Sequence, residues 1–255
     1  MSIKCFGLPN PASICYFNSL FQVLISSYKF VLVNKEHGKE TSILRKICND
    51  LLNDKFDVLD YLHLIKLVKN KTTQSMSNQC SDEYFITMMD NIAQPIKDLF
   101  TLQIQIKHSC TKCTYNVNTT ETTIILESTY QGPVVNSRQL EYLKRADEKC
   151  PQCDGKHIVE YLVTKTSDLL YVLVQEHKKP RTFPETMQLC DSNYELIGIV
   201  EHFGGLMGGH YTAIGKRAGQ YYLFNDTYYK KLEHLLTTGQ QRIILYEKSN
   251  IVTHS

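Results

Sequence analysis

The chain has 255 residues, 42% of them apolar and 21% charged, with a formal net charge of +2. That length makes one large domain or two small ones, with ample material for a core. The near-balanced charge argues against a dedicated nucleic-acid binder, and no apolar run approaches the ~18 residues of a membrane-spanning helix. The opening Met1-Ser2-Ile3-Lys4 lacks a long apolar stretch behind a basic flank, so no secretion signal is expected. The expected setting is intracellular, in cytoplasm, nucleus or both. Nine cysteines fit that setting: the number is odd, and four of them form two Cys-x-x-Cys pairs.

In chain order, residues 7–24 (GLPNPASICYFNSLFQVL) come first. A turn-prone run, Pro9-Asn10-Pro11-Ala12-Ser13, leads into Cys15 and then into apolar side chains at helical spacing. Tyr16, Leu20 and Leu24 are four apart, as are Phe17 and Phe21. The pattern predicts a helix with one face in a core and Cys15 in its first turn. A helix start carries partial positive charge and unpaired N–H groups, which favour a thiolate. Cys15 is therefore either a nucleophile or a small buried hydrophobe. Residues 41–52 and 58–68 read as further helices, the second with a face of Val58, Leu62 and Ile65. Residues 69–78 read as a polar loop. Ser81 or Asp82 caps a helix through Tyr84, Phe85, Met88, Met89 and Ile92 that ends before Pro95.

From Thr101 the period changes to two. Leu102, Ile104 and Ile106 alternate with polar residues, and strands are expected at 122–127, 157–163, 169–175, 194–200, 211–215, 220–224 and 242–247. Gly204-Gly205, Gly208-Gly209 and residues 217–219 read as turns. Helices followed by strands indicate an α+β fold.

Two constellations carry chemistry. Cys110-Thr-Lys-Cys113 and Cys150-Pro-Gln-Cys153, with 36 residues between the pairs, have the spacing of a four-thiolate zinc ribbon. Four protein ligands leave no open position, so one structural zinc ion is expected there. The second constellation is Gly208-Gly209-His210-Tyr211 followed by Tyr222-Leu-Phe-Asn225-Asp226. A hairpin between these segments sets Asn225 beside His210, giving nucleophile, base and orienting residue in the order Cys, His, Asn.

These segments resemble the ubiquitin-specific proteases, papain-like cysteine proteases that remove ubiquitin. The family's Cys box matches at Gly7, Leu8, Asn10, Cys15, Tyr16, Asn18, Ser19 and Gln22. Its His box matches at His202, Gly204, Gly209, His210, Tyr211, Ala213, Phe224, Asn225 and Asp226. The cysteine pairs fall between the boxes, as the family's fingers region does. NQCSDEYF at 78–85 resembles a further motif, and Ile244-Leu245-Tyr246 resembles the closing aromatic strand.

The resemblance implies a single catalytic domain over 1–255, with a papain-like fold. A helical thumb would occupy about 1–100, zinc-ribbon fingers about 101–165 and a β-rich palm about 166–250. It implies a thiol isopeptidase that hydrolyses the bond after ubiquitin's C-terminal glycine through a thioester on Cys15. His210 would be the base, Asn225 would orient it, and Asp226 would substitute or support. His202 is not the base in the family. Asn10 would donate to the oxyanion, Glu83 would meet an arginine of ubiquitin's tail, and Tyr211 would line the channel for the tail's glycines. Cys110, Cys113, Cys150 and Cys153 would hold the zinc. The implied partners are ubiquitin and ubiquitinated proteins, with no nucleic acid or membrane, and the chain is expected to be monomeric. The chain departs from the pattern at Ala12, where the family has Gly, and at Cys80, where it has Asp. It is also short for the family, as a minimal or viral version would be. An inactive ubiquitin-binding scaffold and a protease for a ubiquitin-like modifier are the alternatives.

Overall fold

A computed structural model describes residues 3–11, 13–38, 42–71, 81–128, 142–174, 182–205, 208–235 and 237–249; the side chains of 68–71, 82–83 and 142–148 lie outside that description. The helices come first: α1 (Cys15–Leu24), α2 (Tyr28–His37), α3 (Ile43–Leu52), α4 (Val58–Lys71), α5 (Ser81–Asp90) and α6 (Gln94–Asp98). Ala12 and residues 72–80, Cys80 among them, lie outside the described residues.

The expected helices form, with corrections. All ten residues of α1 are buried, so it is enclosed rather than half-exposed. Its polar residues survive there because each is hydrogen-bonded: Ser19 Oγ donates to Tyr16 O (3.0 Å) and Gln22 Nε2 to Phe6 O (2.8 Å). Helix α2 has no counterpart in the sequence reading. It buries only Phe30, Val31 and Asn34, too few for a clear apolar stripe, and its start is marked by Ser27, whose hydroxyl accepts from Phe30 N. Helix α4 turns Tyr61, Leu64 and Ile65 inward and leaves Val58 exposed, and it continues through residues expected in the following loop. Pro95 opens α6 instead of merely ending α5, a role its fixed φ and missing N–H suit.

The strands make two sheets. One is antiparallel, in the order β2 (Asn116–Thr123), β1 (Leu102–Cys110), β5 (Lys156–Lys165), β4 (Tyr142–Lys149). The other has eight strands. Its path is β11 (Tyr228–Lys231), β10 (Gln220–Asn225), β9 (Gly208–Arg217), β8 (Ser192–Gly205), β12 (Gln240–Lys248), β6 (Leu169–Val174), β3 (Leu126–Ser128), and β7 (Thr186–Leu189) pairs with β8. The single strand expected at 122–127 is two ends: β2 stops at Thr123 and β3 begins at Leu126 in the other sheet. Thr123 Oγ1 bonds both the N–H and the C=O of Ile125 at that crossing.

The large sheet is apolar on both faces. Leu169, Tyr171, Val200, Ala213, Phe224, Ile243 and Leu245 pack toward the helices. Leu170, Val172, Leu196, Ile199, Ile214, Ile244 and Tyr246 form a second core behind it. Adjacent residues of β6 serve opposite cores, which is why LLYVLV is a continuous apolar run. Helix α1 lies against β8, β9 and β10 on one side and α5 on another. Its C-terminal end is fixed by Arg217 of β9, buried with its Nη2 on Gln22 O and Gln22 Oε1 (both 2.9 Å) and its Nη1 bonded to Ser26 Oγ. A cation at the carbonyl end of a helix complements the helix dipole.

Candidate active site and metal centre

Cys15 is the first residue of α1 and is buried. Its sulfur therefore sits at the helix end whose N–H groups lack intrahelical acceptors. No side chain caps α1. Asn10 instead closes the turn before it, accepting the N–H of Ile14 on Oδ1 at 2.7 Å. Among the described residues of this loop, Ser13 takes left-handed backbone (φ 54°).

His210 is the third residue of β9, the strand against which α1 packs. The β9–β10 hairpin turns at Ala218-Gly219, both at positive φ (50° and 77°), the geometry of a two-residue turn that matches strand twist. The resulting register pairs Gly215 with Tyr222 and Ala213 with Phe224. It carries Asn225 to the strand end, where Asn225 Oδ1 is 2.7 Å from His210 Nε2. A carbonyl oxygen only accepts, so this contact calls for a proton on Nε2, which in the neutral ring leaves Nδ1 free of one. Gly204 and Gly205 pair with Gly209 and Gly208, so these glycines are strand ends and not the turns expected from the sequence.

Asp226 does something different from its neighbour. It takes φ 50°, and its carboxylate turns back toward the Cys15 segment. Oδ2 accepts from Asn10 Nδ2 (2.8 Å), Oδ1 accepts from Asn18 Nδ2 (2.7 Å), and its backbone C=O accepts from Leu8 N (2.8 Å). The two chain segments are so close that a Cβ on Gly7 would lie 2.1 Å from Thr227 O, so that position needs glycine. In the sequence Asn18 stands only as a match to the Cys box; the signal it carries is that of a polar side chain within an otherwise apolar helix. Tyr61, whose hydroxyl donates to Asn18 Oδ1 at 2.6 Å, had no signal beyond its place on a helical face. Tyr211 is buried on β9 with its ring 4.6 Å from that of His202. Glu83 falls in α5, and its side chain is outside the described residues.

The cysteine pairs meet as their spacing predicts. The sulfurs of Cys110, Cys113, Cys150 and Cys153 all lie within 4.8 Å of one another, with Cys110–Cys153 at 3.5 Å and Cys113–Cys150 at 3.7 Å. Tetrahedral thiolate ligation at ~2.3 Å sets sulfurs about 3.8 Å apart, so the set fits such an ion. Backbone N–H groups of Lys112, Gln152 and Gly155 point at Cys110, Cys150 and Cys153 sulfurs at 3.2–3.4 Å, as in two knuckles. The Lys112 N–H draws the Cys110 thiol down to about 6. The Gly155 N–H favours the Cys153 thiolate, yet the Cys110 side chain, burial and the other cysteines push Cys153 up to about 12. Four thiols in one place cannot all ionise unless a cation joins them. A Cβ on Gly155 would come within 2.7 Å of Cys110 Sγ, so the second knuckle closes only with glycine there.

The family model described as ubiquitin carboxyl-terminal hydrolase matches residues 6–246. The mouse "Ubiquitin carboxyl-terminal hydrolase 43" is 36% identical over 78 residues, 29% of this chain and 7% of that protein. The "Probable ubiquitin carboxyl-terminal hydrolase R319" of Acanthamoeba polyphaga mimivirus is 25% identical over 196 residues, 76% of this chain and 36% of that protein. The chain thus spans well under two thirds of these curated relatives. A solved SAGA DUB module of Ubp8, Sgf11, Sus1 and Sgf73 bound to ubiquitin aldehyde superposes with a TM-score of 0.76 at 18% identity, covering 97% of this chain and 70% of that one. The α+β, papain-like fold described above is thus shared with that module.

Proposed function

The chain belongs to the ubiquitin carboxyl-terminal hydrolase family, and from that premise we propose that it is a cysteine-dependent deubiquitinase. The observation that carries the reading is the His210 Nε2–Asn225 Oδ1 bond at 2.7 Å, on the strands that pack against the helix begun by Cys15. In this mechanism His210 Nδ1 takes the Cys15 proton. The thiolate attacks the carbonyl carbon of ubiquitin's terminal glycine, and the carbonyl oxygen becomes an oxyanion. The Cys15 N–H donates to it, as does the Asn10 amide hydrogen not engaged by Asp226. As the tetrahedral species collapses, the C–N bond breaks, the leaving amine takes the proton from His210, and a thioester remains on Cys15. Water, deprotonated by His210, attacks that thioester and releases ubiquitin's carboxylate and the thiol. Asp226 supports the site by orienting Asn10 rather than His210.

In the same reading Glu83 meets an arginine of the ubiquitin tail and Tyr211 lines the channel for its glycines. The division into thumb (about 1–100), fingers (about 101–165) and palm (about 166–250) describes how ubiquitin is held. Cys110, Cys113, Cys150 and Cys153 hold one zinc ion, whose chemistry is structural: with four protein thiolates it presents no open position. We take the protein to act as a monomer on ubiquitinated proteins in the cytoplasm or nucleus. No helix among the described residues is long and apolar enough to cross a membrane.

The test is covalent labelling. Ubiquitin carrying a C-terminal electrophile is expected to form an adduct mapped to Cys15 by peptide mass spectrometry and lost in Cys15→Ala. The solved neighbour bound to ubiquitin aldehyde is the precedent for such a probe. Absence of an adduct from folded, metal-loaded protein overturns the reading. Preferential labelling by a ubiquitin-like modifier would keep the chemistry and replace the substrate.

A further inference from the structure

Tyr61 lies on α4, far from Cys15 in sequence. It is fully buried among Phe17, Phe21 and Phe56, at ring-centroid distances of 6.0, 5.3 and 5.8 Å. Aromatic packing alone would be served as well by phenylalanine. The hydroxyl, however, donates to Asn18 Oδ1 at 2.6 Å. Asn18, itself 2% exposed, passes the constraint on: its Nδ2 donates to Asp226 Oδ1 (2.7 Å) and Pro9 O (3.2 Å). Asp226 Oδ2 holds Asn10 Nδ2 (2.8 Å), and Asn10 Oδ1 holds the N–H of Ile14 (2.7 Å), the residue before Cys15.

We infer that Tyr61 is a positioning residue for acyl transfer, its hydroxyl fixing Asn18, through Asn18 the Asp226 carboxylate, and through Asp226 the direction of Asn10. The inference rests on the reading of Asn10 as an oxyanion donor. The argument is one of polarity. An amide has a donor end and an acceptor end, and both ends of Asn18 are buried. Asp226 requires the donor end. Tyr61 supplies the partner for the acceptor end, so only one amide orientation satisfies both. Without the hydroxyl, the same orientation leaves Asn18 Oδ1 buried and unpaired. The flipped one sets a carbonyl against a carboxylate. Each alternative loosens Asp226, and Asn10 with it. Burial, with the nearby Asp226 carboxylate adding to it, holds the Tyr61 hydroxyl well above the ordinary phenol range. It therefore remains a donor across the pH range of activity.

The test is Tyr61→Phe, which keeps the ring. On a ubiquitin amide substrate kcat is expected to fall about 10-fold with KM unchanged, because the lost interaction acts only on the transition state. The midpoints of the pH–rate profile should stay in place, since Cys15 and His210 are untouched. Phe17→Leu, which loosens the same aromatic cluster without touching the hydrogen-bonded line, is expected to lower stability and leave kcat. An unchanged kcat in folded Tyr61→Phe, or an equal loss in Phe17→Leu, overturns the inference. Two NMR readouts stand apart from activity. In the wild type the Tyr61 hydroxyl proton should exchange slowly and show an NOE to the Asn18 amide, and Tyr61→Phe should speed exchange of the Asn10 and Asn18 side-chain amides. Absence of that hydroxyl signal, or unaltered amide exchange, overturns the inference as well. A wild type inert toward ubiquitin overturns the functional reading instead, and the amide exchange then decides whether Tyr61 holds Asn10.

Discussion

Asn225 and Asp226 are adjacent, chemically similar and committed to opposite tasks. The left-handed backbone of Asp226 turns the chain so that the Asn225 amide reaches His210 while the Asp226 carboxylate reaches Asn10 and Asn18. A neutral partner orients the imidazole without stabilising its charge, and this suggests a pH experiment. In Asn225→Asp the new carboxylate favours the charged ring over the neutral one. The limb of the kcat/KM profile governed by the general base is expected to move to higher pH. Steady-state rates on a fluorogenic ubiquitin substrate between pH 5 and 10 measure it; a limb that stays put or moves down would contradict the assignment. The residue types at 225 and 226 could be read as an orienting pair, but the division of labour could not. It depends on the sign of one φ and on a hairpin register, neither of which is written in residue identity. Asn10 likewise read as a turn former and a donor. Its hold on Ile14 is local, four residues on, but its hold on Asp226 is a tertiary fact, made by segments more than two hundred residues apart.

At the scale of elements, the four-stranded sheet contrasts with the eight-stranded one. Strand β2 is exposed at seven of its eight positions, and β1 and β5 bury little beyond Leu102, His157 and Val163. A sheet whose described side chains are mostly exposed or half-buried gains little from apolar burial, so a metal ion on the four sulfurs is expected to supply much of its stability. Apparent binding energies of structural zinc sites, about 10–16 kcal/mol, are large enough for that task. Chelation is therefore expected to unfold this sheet selectively. Backbone amides of β1, β2 and β5 should lose hydrogen-exchange protection while those of β8 and β12 keep theirs. Equal loss in both sheets, or none, would refute the division. The same contrast explains which strands could be read in advance. Strands β6 and β12 run apolar because they are buried, and β1 alternates because Ile104, Ile106 and His108 are half-buried while Gln105 and Lys107 are exposed. Most of strand β2 (NVNTTETT) and the edge strand β11 (YYKK), exposed at all four positions, carry no such pattern.

For the molecule as a whole, the helices and the second core clamp the eight-stranded sheet from both sides, and buried polar groups set how its parts join. Arg217 does so for α1. Glu201, 1% exposed on β8, does so for the segment entering β12, with Oε1 accepting the N–H groups of Thr238 (2.9 Å) and Gly239 (3.0 Å). Burial pushes its carboxyl above the ordinary 4.5, and those two N–H groups oppose the shift without cancelling it. The sign of the consequence follows from linkage. From about pH 4.5 up to the raised value, the folded protein keeps a proton that the unfolded chain has lost. Stability from this group is thus fully present below 4.5, falls as pH rises through that window, and is level above it. In Glu201→Gln the amide oxygen can accept the same two N–H groups and does not titrate. The variant is therefore expected to gain stability relative to wild type as pH rises through the window and to hold a constant advantage at neutral pH. Paired urea denaturations at several pH values between 4 and 8 measure the difference, in which any loss of metal at acid pH cancels. A difference that is flat with pH, or that favours wild type increasingly as pH rises, would mean that the two backbone N–H groups outweigh burial and that Glu201 is a stabilising anion.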